Sequence, residues 1–149
     1  MKAPGLVALP CLCSTLRRSA RALSQRYDVA LRPFGLRGTQ FTLLQALSRT
    51  GEVTQRKLGE ILALDSTTLT RTLYTMRRSG WVTRQRGEDR REWRFRLSLE
   101  GREQLRRVTP AWEKTQQELA GQLGDRLWHE LFKQADRVTT VALKPGEMS

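Results

Sequence analysis

At 149 residues, the chain has room for one domain with a real core and not for two ordinary ones. Its 38% hydrophobic and 28% charged residues exclude a disordered tail and describe a globular protein. With 27 Lys+Arg against 15 Asp+Glu the formal charge is +12, so nucleic acid is the first partner expected and an anionic membrane the second.

The chain opens on a brief apolar stretch from Gly5 to Leu12, interrupted by Pro10 and followed by Arg17, Arg18 and Arg21. No apolar run approaches the roughly 20 residues of a membrane span. A signal peptide carries its charge before the apolar stretch, the reverse of this order, so secretion and membrane insertion are not expected. The only cysteines, Cys11 and Cys13, make no disulfide framework, and a reducing cytoplasm is the expected location.

Leu12, Leu16, Ala20, Leu23, Tyr27 and Ala30 then recur at helical spacing, with Arg17, Arg18, Arg21 and Arg26 elsewhere around the helix. Thr39 is read as the N-cap of a second helix that buries Phe41, Leu44 and Leu47 and ends near Gly51. Thr54 caps a third, with Leu58, Ile61 and Leu62 inward. The pair Asp65-Ser66 starts a fourth, carrying Leu69, Leu73 and Met76 inward and stopping at Gly80. Helix, tight turn and capped helix make the helix-turn-helix pattern.

After Gly80 the period changes. Trp81-Val82-Thr83 opens a strand, Arg86 to Arg91 is polar enough for a hairpin tip, and Trp93, Phe95, Leu97 and Leu99 alternate with Arg94, Arg96 and Ser98. A hairpin in this place is a wing. Beyond it, Leu105, Val108, Trp112 and Leu119 form one helical stripe, and Leu127, Leu131, Ala135, Val138 and Ala142 another, broken around Gly121 and Gly124. The long terminal helices either cover the middle segment or interlock with those of a second copy. The dimer is the favoured reading, because the middle segment has its own core residues. The expected fold is therefore mainly α with a small β wing. A winged helix-turn-helix at about residues 35–101 is flanked by dimerisation helices at about 10–31 and 102–143, all in one domain.

From Arg71 to Arg107 the chain places twelve arginines, no lysine and five acids, a net +7. Arginine suits bidentate contact with phosphate and guanine edges, and at a wing tip it suits a narrow minor groove. Ser66, Thr67, Thr68, Thr70 and Arg71 occupy the first turns of the recognition helix, where small hydroxyl residues allow close approach to DNA. Thr67, Thr70 and Arg71 are the leading candidates for base or backbone contact, with Arg77 and Arg78 reaching phosphates and Arg86, Arg90 and Arg91 on the wing. Ser66 also serves as a cap, and Thr72 and Thr75 read as solvent-facing.

These segments resemble the MarR family of winged-helix regulators. The wing, Asp89-Arg90-Arg91 followed by Leu97-Ser98-Leu99-Glu100-Gly101, is similar to the family's Asp-x-Arg, strand, Leu-Thr-x-x-Gly pattern, with Ser98 where Thr is usual. The recognition segment from Leu64 to Arg71 fits too, as do Arg78-Ser79-Gly80-Trp81-Val82 and Leu31 to Leu36 leading into Thr39-Gln40-Phe41. The resemblance runs from about Leu12 to Leu143. It implies that Asp89 pins the wing through a salt bridge, that Arg91 enters the minor groove, and that the terminal helices dimerise on a pseudopalindromic operator. It further implies a repressor that occludes a promoter until an inducer, often an aromatic acid, changes the wing spacing. Relatives that sense oxidants through a first-helix cysteine make Cys11 or Cys13 a candidate switch, with Arg17 one turn beyond Cys13 favouring the thiolate. The alternative is two small apolar helix residues.

No cofactor is expected. Two cysteines and the single His129 fall short of the about four ligands zinc needs, and His129 reads as a surface or interface residue. Nothing pairs a nucleophile with a base, and no Gly-rich loop cradles phosphate, so the chain does not read as an enzyme. A non-specific architectural or RNA-binding winged helix is the rival reading, and a membrane-surface role for the first helix ranks last.

Overall fold

The computed structural model describes residues 5–143. It runs α1 (Leu12–Leu31), a 3-10 turn (Arg32–Phe34), α2 (Gly38–Thr50), β1 (Val53–Thr54), α3 (Gln55–Leu62), α4 (Ser66–Arg78), β2 (Val82–Arg86), β3 (Trp93–Leu97), α5 (Leu99–Leu123) and α6 (Asp125–Leu143). The chain divides into two compact units, one ending at Trp112 and the other beginning at Glu113.

The first unit carries the predicted helix-turn-helix and hairpin. Its core joins Phe41, Leu43, Leu44 and Leu47 of α2, Leu58 of α3, and Leu69, Leu73 and Met76 of α4 to Val82, Phe95 and Leu97 of the sheet. The helical period delivers the inward residues of α2 and α4 as expected. It fails at Ile61, which stays 46% exposed while Leu58 is fully buried. The inward stripe of α3 runs through Leu58 and the half-buried Leu62, and Ile61 lies on the flank of that stripe, about 60° round the helix from Leu58.

The sheet gains a strand that periodicity missed. Val53 and Thr54 pair with Phe95 and Arg94, giving the antiparallel order β1-β3-β2. A two-residue strand has no period to detect. Val82↔Leu97 and Arg86↔Trp93 bracket the β2–β3 ladder. The α2 start also departs from expectation, since the helix begins at Gly38 with Arg37 as N-cap rather than at Thr39. The Gly38 N–H donates to Asp28 Oδ1 of α1 at 2.7 Å, and the Arg37 N–H donates to Gln40 Oε1 at 2.9 Å. A carboxylate ten residues upstream thus satisfies an amide that a local cap would otherwise serve. The buried Gln104 of α5 donates to the Phe34 carbonyl at 2.7 Å, tying the start of that helix to the 3-10 turn.

In the second unit, Gly124 at φ 81 ends α5 and starts α6, where the two C-terminal stripes were expected to break. No residue of α6 is buried, and Trp128 packs edge-on against Phe132 with ring centroids 5.0 Å apart. Among the described residues, no helix is long and apolar enough to cross a membrane.

Candidate nucleic-acid interface

The recognition helix is set by its caps. Thr54 Oγ1 accepts from the Lys57 N–H at 3.2 Å to start α3, and Ala63 ends it in the left-handed conformation at φ 49. The Leu64 N–H returns to the Gly59 carbonyl at 3.0 Å, closing the turn. Asp65 then caps α4. Its Oδ1 accepts from the Thr68 N–H at 2.8 Å, and its Oδ2 accepts from the Thr68 hydroxyl at 2.6 Å. The Thr68 hydroxyl, and next the Thr68 amide, hold the Asp65 carboxyl below the usual carboxylate range.

This arrangement sorts the hydroxyls singled out from the sequence. The Thr68 side chain is spent on the cap, and Asp65 rather than Ser66 is the N-cap residue. Ser66, Thr67 and Arg71 are exposed on the first turns of α4. Thr70 is exposed as well, and its oxygen accepts from Gln55 Nε2 at 2.8 Å, which leaves its hydroxyl proton available to an outside acceptor. Thr72 and Thr75 donate to the carbonyls of Thr68 and Arg71 one turn back. Lower on the helix, the Arg78 guanidinium lies 5.9 Å from the centre of the Tyr74 ring, and Arg77 is half-buried. Gln55 was not anticipated; only the three-dimensional approach of α3 to α4 places it beside Thr70.

At the wing tip the Gly87 N–H donates to the Glu92 carbonyl, and the Glu92 N–H to the Asp89 carbonyl. Asp89 does hold the turn, but through a backbone amide: its Oδ1 accepts from the Arg91 N–H at 2.9 Å. Among the described residues no cation stands within ion-pair distance of it, so the expected salt bridge is replaced by an Asx turn. Arg90 and Arg91 are exposed and carry no acidic partner among the described residues. Arg94 is different, since its Nη1 lies 3.6 Å from Glu52 Oε1. Two further wing arginines, Arg84 and Arg86, stack on Trp93, a feature the alternating pattern hid by marking Trp93 only as an inward strand residue.

The wing is fixed to the body at Ser98. Its hydroxyl donates to the Gly80 carbonyl at 2.5 Å and accepts from the Gly101 N–H at 2.9 Å, while its own N–H donates to the Trp81 carbonyl at 3.0 Å. Serine supplies the same oxygen that threonine would. Gly101 lies so close that a Cβ there would fall 2.0 Å from the Trp81 carbonyl oxygen.

Comparison with known proteins bears on this geometry. The model of the MarR family matches residues 36–93. The HTH-type transcriptional regulator YwoH of Bacillus subtilis is 31% identical over 114 residues, which is 76% of this chain and 83% of that one. The chain belongs to the MarR family. Its winged-helix fold is shared with a solved structure of the M. tuberculosis transcriptional regulator MosR in complex with DNA, at TM-score 0.77 and 37% identity, covering 89% of this chain and 99% of that one. The organic hydroperoxide resistance transcriptional regulator of B. subtilis is 36% identical over 78 residues, 52% of this chain and 53% of its own length.

The first helix of this MarR-family chain carries both cysteines, exposed and unbridged. Cys11 occupies the N-cap position of α1. No side-chain hydrogen bond closes that cap, yet the nearby amide and hydroxyl of Ser14, then the amide of Cys13, hold the Cys11 thiol below its ordinary range. Arg17 Nη2 lies 3.6 Å from Cys13 Sγ, the placement the four-residue spacing implied.

Proposed function

We propose that this MarR-family regulator binds a pseudopalindromic DNA operator as a cytoplasmic homodimer and represses transcription. The observation that carries the reading is the pairing of a hydroxyl-lined, capped recognition helix with exposed, acid-free arginines on the adjoining wing. Ser66, Thr67, Thr70 and Arg71 face the major groove, Arg77 and Arg78 reach phosphates, and Arg90 and Arg91 enter the minor groove. Thr68 contributes through the cap rather than by touching DNA. The terminal helices supply the dimer contact: Leu12, Leu16 and Leu23 of α1 are exposed, as are Leu127, Leu131 and Phe132 of α6. A solved relative at 37% identity has been captured with DNA, which supports the same partner here.

Anisotropy on the duplex upstream of its own gene, against a scrambled duplex at near-physiological salt with reductant, tests this. Binding at least about a thousandfold tighter to the upstream duplex is expected. Equal binding to both duplexes would favour a non-specific architectural protein.

Release comes from an inducer or from oxidation at α1. The lowered Cys11 thiol and the arginine at Cys13 favour oxidation, and one relative bears a hydroperoxide-resistance name. Attack of the thiolate on a hydroperoxide transfers one oxygen to sulfur, giving the sulfenic acid and releasing the alcohol. A sulfenic acid or a link between subunits is the expected product. A Cys11→Ser/Cys13→Ser double variant should keep its DNA affinity after peroxide, and full sensitivity in that variant would remove the cysteines from the mechanism.

A further inference from the structure

Trp93 is half-buried on β3, opposite Arg86 of β2, and Arg84 lies two residues before Arg86 on β2. Cross-strand partners share a face and alternate residues repeat it, so all three side chains stand on one face of the hairpin. It is the face that carries Val82, Phe95 and Leu97 into the core. The guanidinium carbons of Arg84 and Arg86 lie 3.9 and 3.8 Å from the centre of the Trp93 ring. Both guanidiniums therefore rest against the one indole, their carbons no more than about 8 Å apart.

Neither cation has an acidic partner among the described residues, although Glu88, Asp89 and Glu92 lie close in sequence. Arg86 Nη1 donates instead to the Arg90 carbonyl at 2.7 Å, which ties the stack to the wing tip. Two like charges are thus held side by side with an aromatic spacer in place of a counter-ion. The indole faces attract both cations and remove much of the rotamer freedom they would otherwise lose on binding. That limit keeps the two cations within reach of successive phosphates along one DNA strand.

We propose that Trp93 is a positioning residue that presents Arg84 and Arg86 as a preformed clamp for two neighbouring backbone phosphates, leaving Arg90 and Arg91 as the mobile groove-reading pair. This rests on the DNA-binding reading above but not on sequence recognition, since phosphates carry no sequence. Anisotropy titrations over a range of salt, on the upstream and the scrambled duplex, test it with the full-length protein and its Trp93→Leu, Trp93→Phe and Arg84→Gln/Arg86→Gln variants.

Trp93→Leu should weaken binding to both duplexes by the same factor, about tenfold, with the ratio between them unchanged. Trp93→Phe should recover most of that loss. Removing both arginines should lower the slope of log affinity against log salt by about 3.6, four phosphates per dimer at about 0.9 each. In that background Trp93→Leu should cost nothing further. An equal loss from Trp93→Leu with and without the arginines would reduce Trp93 to wing packing and overturn the clamp. So would a Trp93→Phe protein as weak as Trp93→Leu; should Trp93→Leu fail to fold by circular dichroism, the Arg84→Gln/Arg86→Gln variant decides, and a salt slope equal to the wild type's overturns the clamp. A wild-type affinity ratio near one would defeat sequence reading alone, whereas absence of binding to either duplex would overturn both.

Discussion

A methyl group at Gly101 would be driven into the Trp81 carbonyl, and the atoms it meets are all backbone of Trp81, with no flexible side-chain end that can swing aside. Gly101→Ala should therefore destabilise the fold by about 3 kcal/mol, the upper part of the usual overpacking range, as read by urea denaturation. Asp65 works differently, through charge. Its folded-state carboxyl titrates below the ordinary range because Thr68 donates to it twice. The stabilisation is therefore complete above the unfolded-state value and is lost as pH falls through the lower folded value. Asp65→Asn keeps an acceptor for the Thr68 amide but cannot ionise. Thermal melts should show a shallower acid limb in that variant, and an unchanged limb would mean that other carboxylates control acid unfolding.

At the scale of elements, α3 and α4 meet at a turn whose pivot is an alanine in left-handed conformation, where glycine is the common occupant. Ala63→Gly removes that strain at the cost of a looser unfolded chain, so a net gain of about 0.5 kcal/mol is expected, with DNA affinity unchanged. Elements of this kind were legible from local signals. The Thr54 cap, the Asp65 start, the inward faces of α2 and α4 and the hairpin strands all follow from periods and side chains within a few residues of one another. What escaped involves partners distant in sequence. Asp28 serves an amide ten residues on, Gln85 and Arg94 converge on Glu52, and Gln55 reaches Thr70 across fifteen residues. The candidate site was legible in composition more than in role. The arginines were countable, but which of them is paired with Glu52, stacked on Trp93 or free at the tip depends on strand register, and a family pattern placed at Asp89 an ion pair that the turn makes unnecessary.

For the molecule as a whole, the exposed stripe of α1 is the feature that a second copy should cover. Sedimentation of the wild-type protein should give a dimer, and Leu16→Glu/Leu23→Glu should give a monomer whose operator affinity falls at least about a hundredfold, since two half-sites are no longer engaged together. A wild-type monomer that binds the operator tightly would refute this.

One oxygen atom at Ser98 grips the last turn beyond α4 and the first turn of α5, while the amide of the same residue holds the strand that follows Gly80. Mechanically this is a rivet through three parts, so a torque entering along the start of α5 swings reading helix and wing together as a single lever arm. A signal received at the first turn of that helix need not touch either the reading helix or the wing to move both.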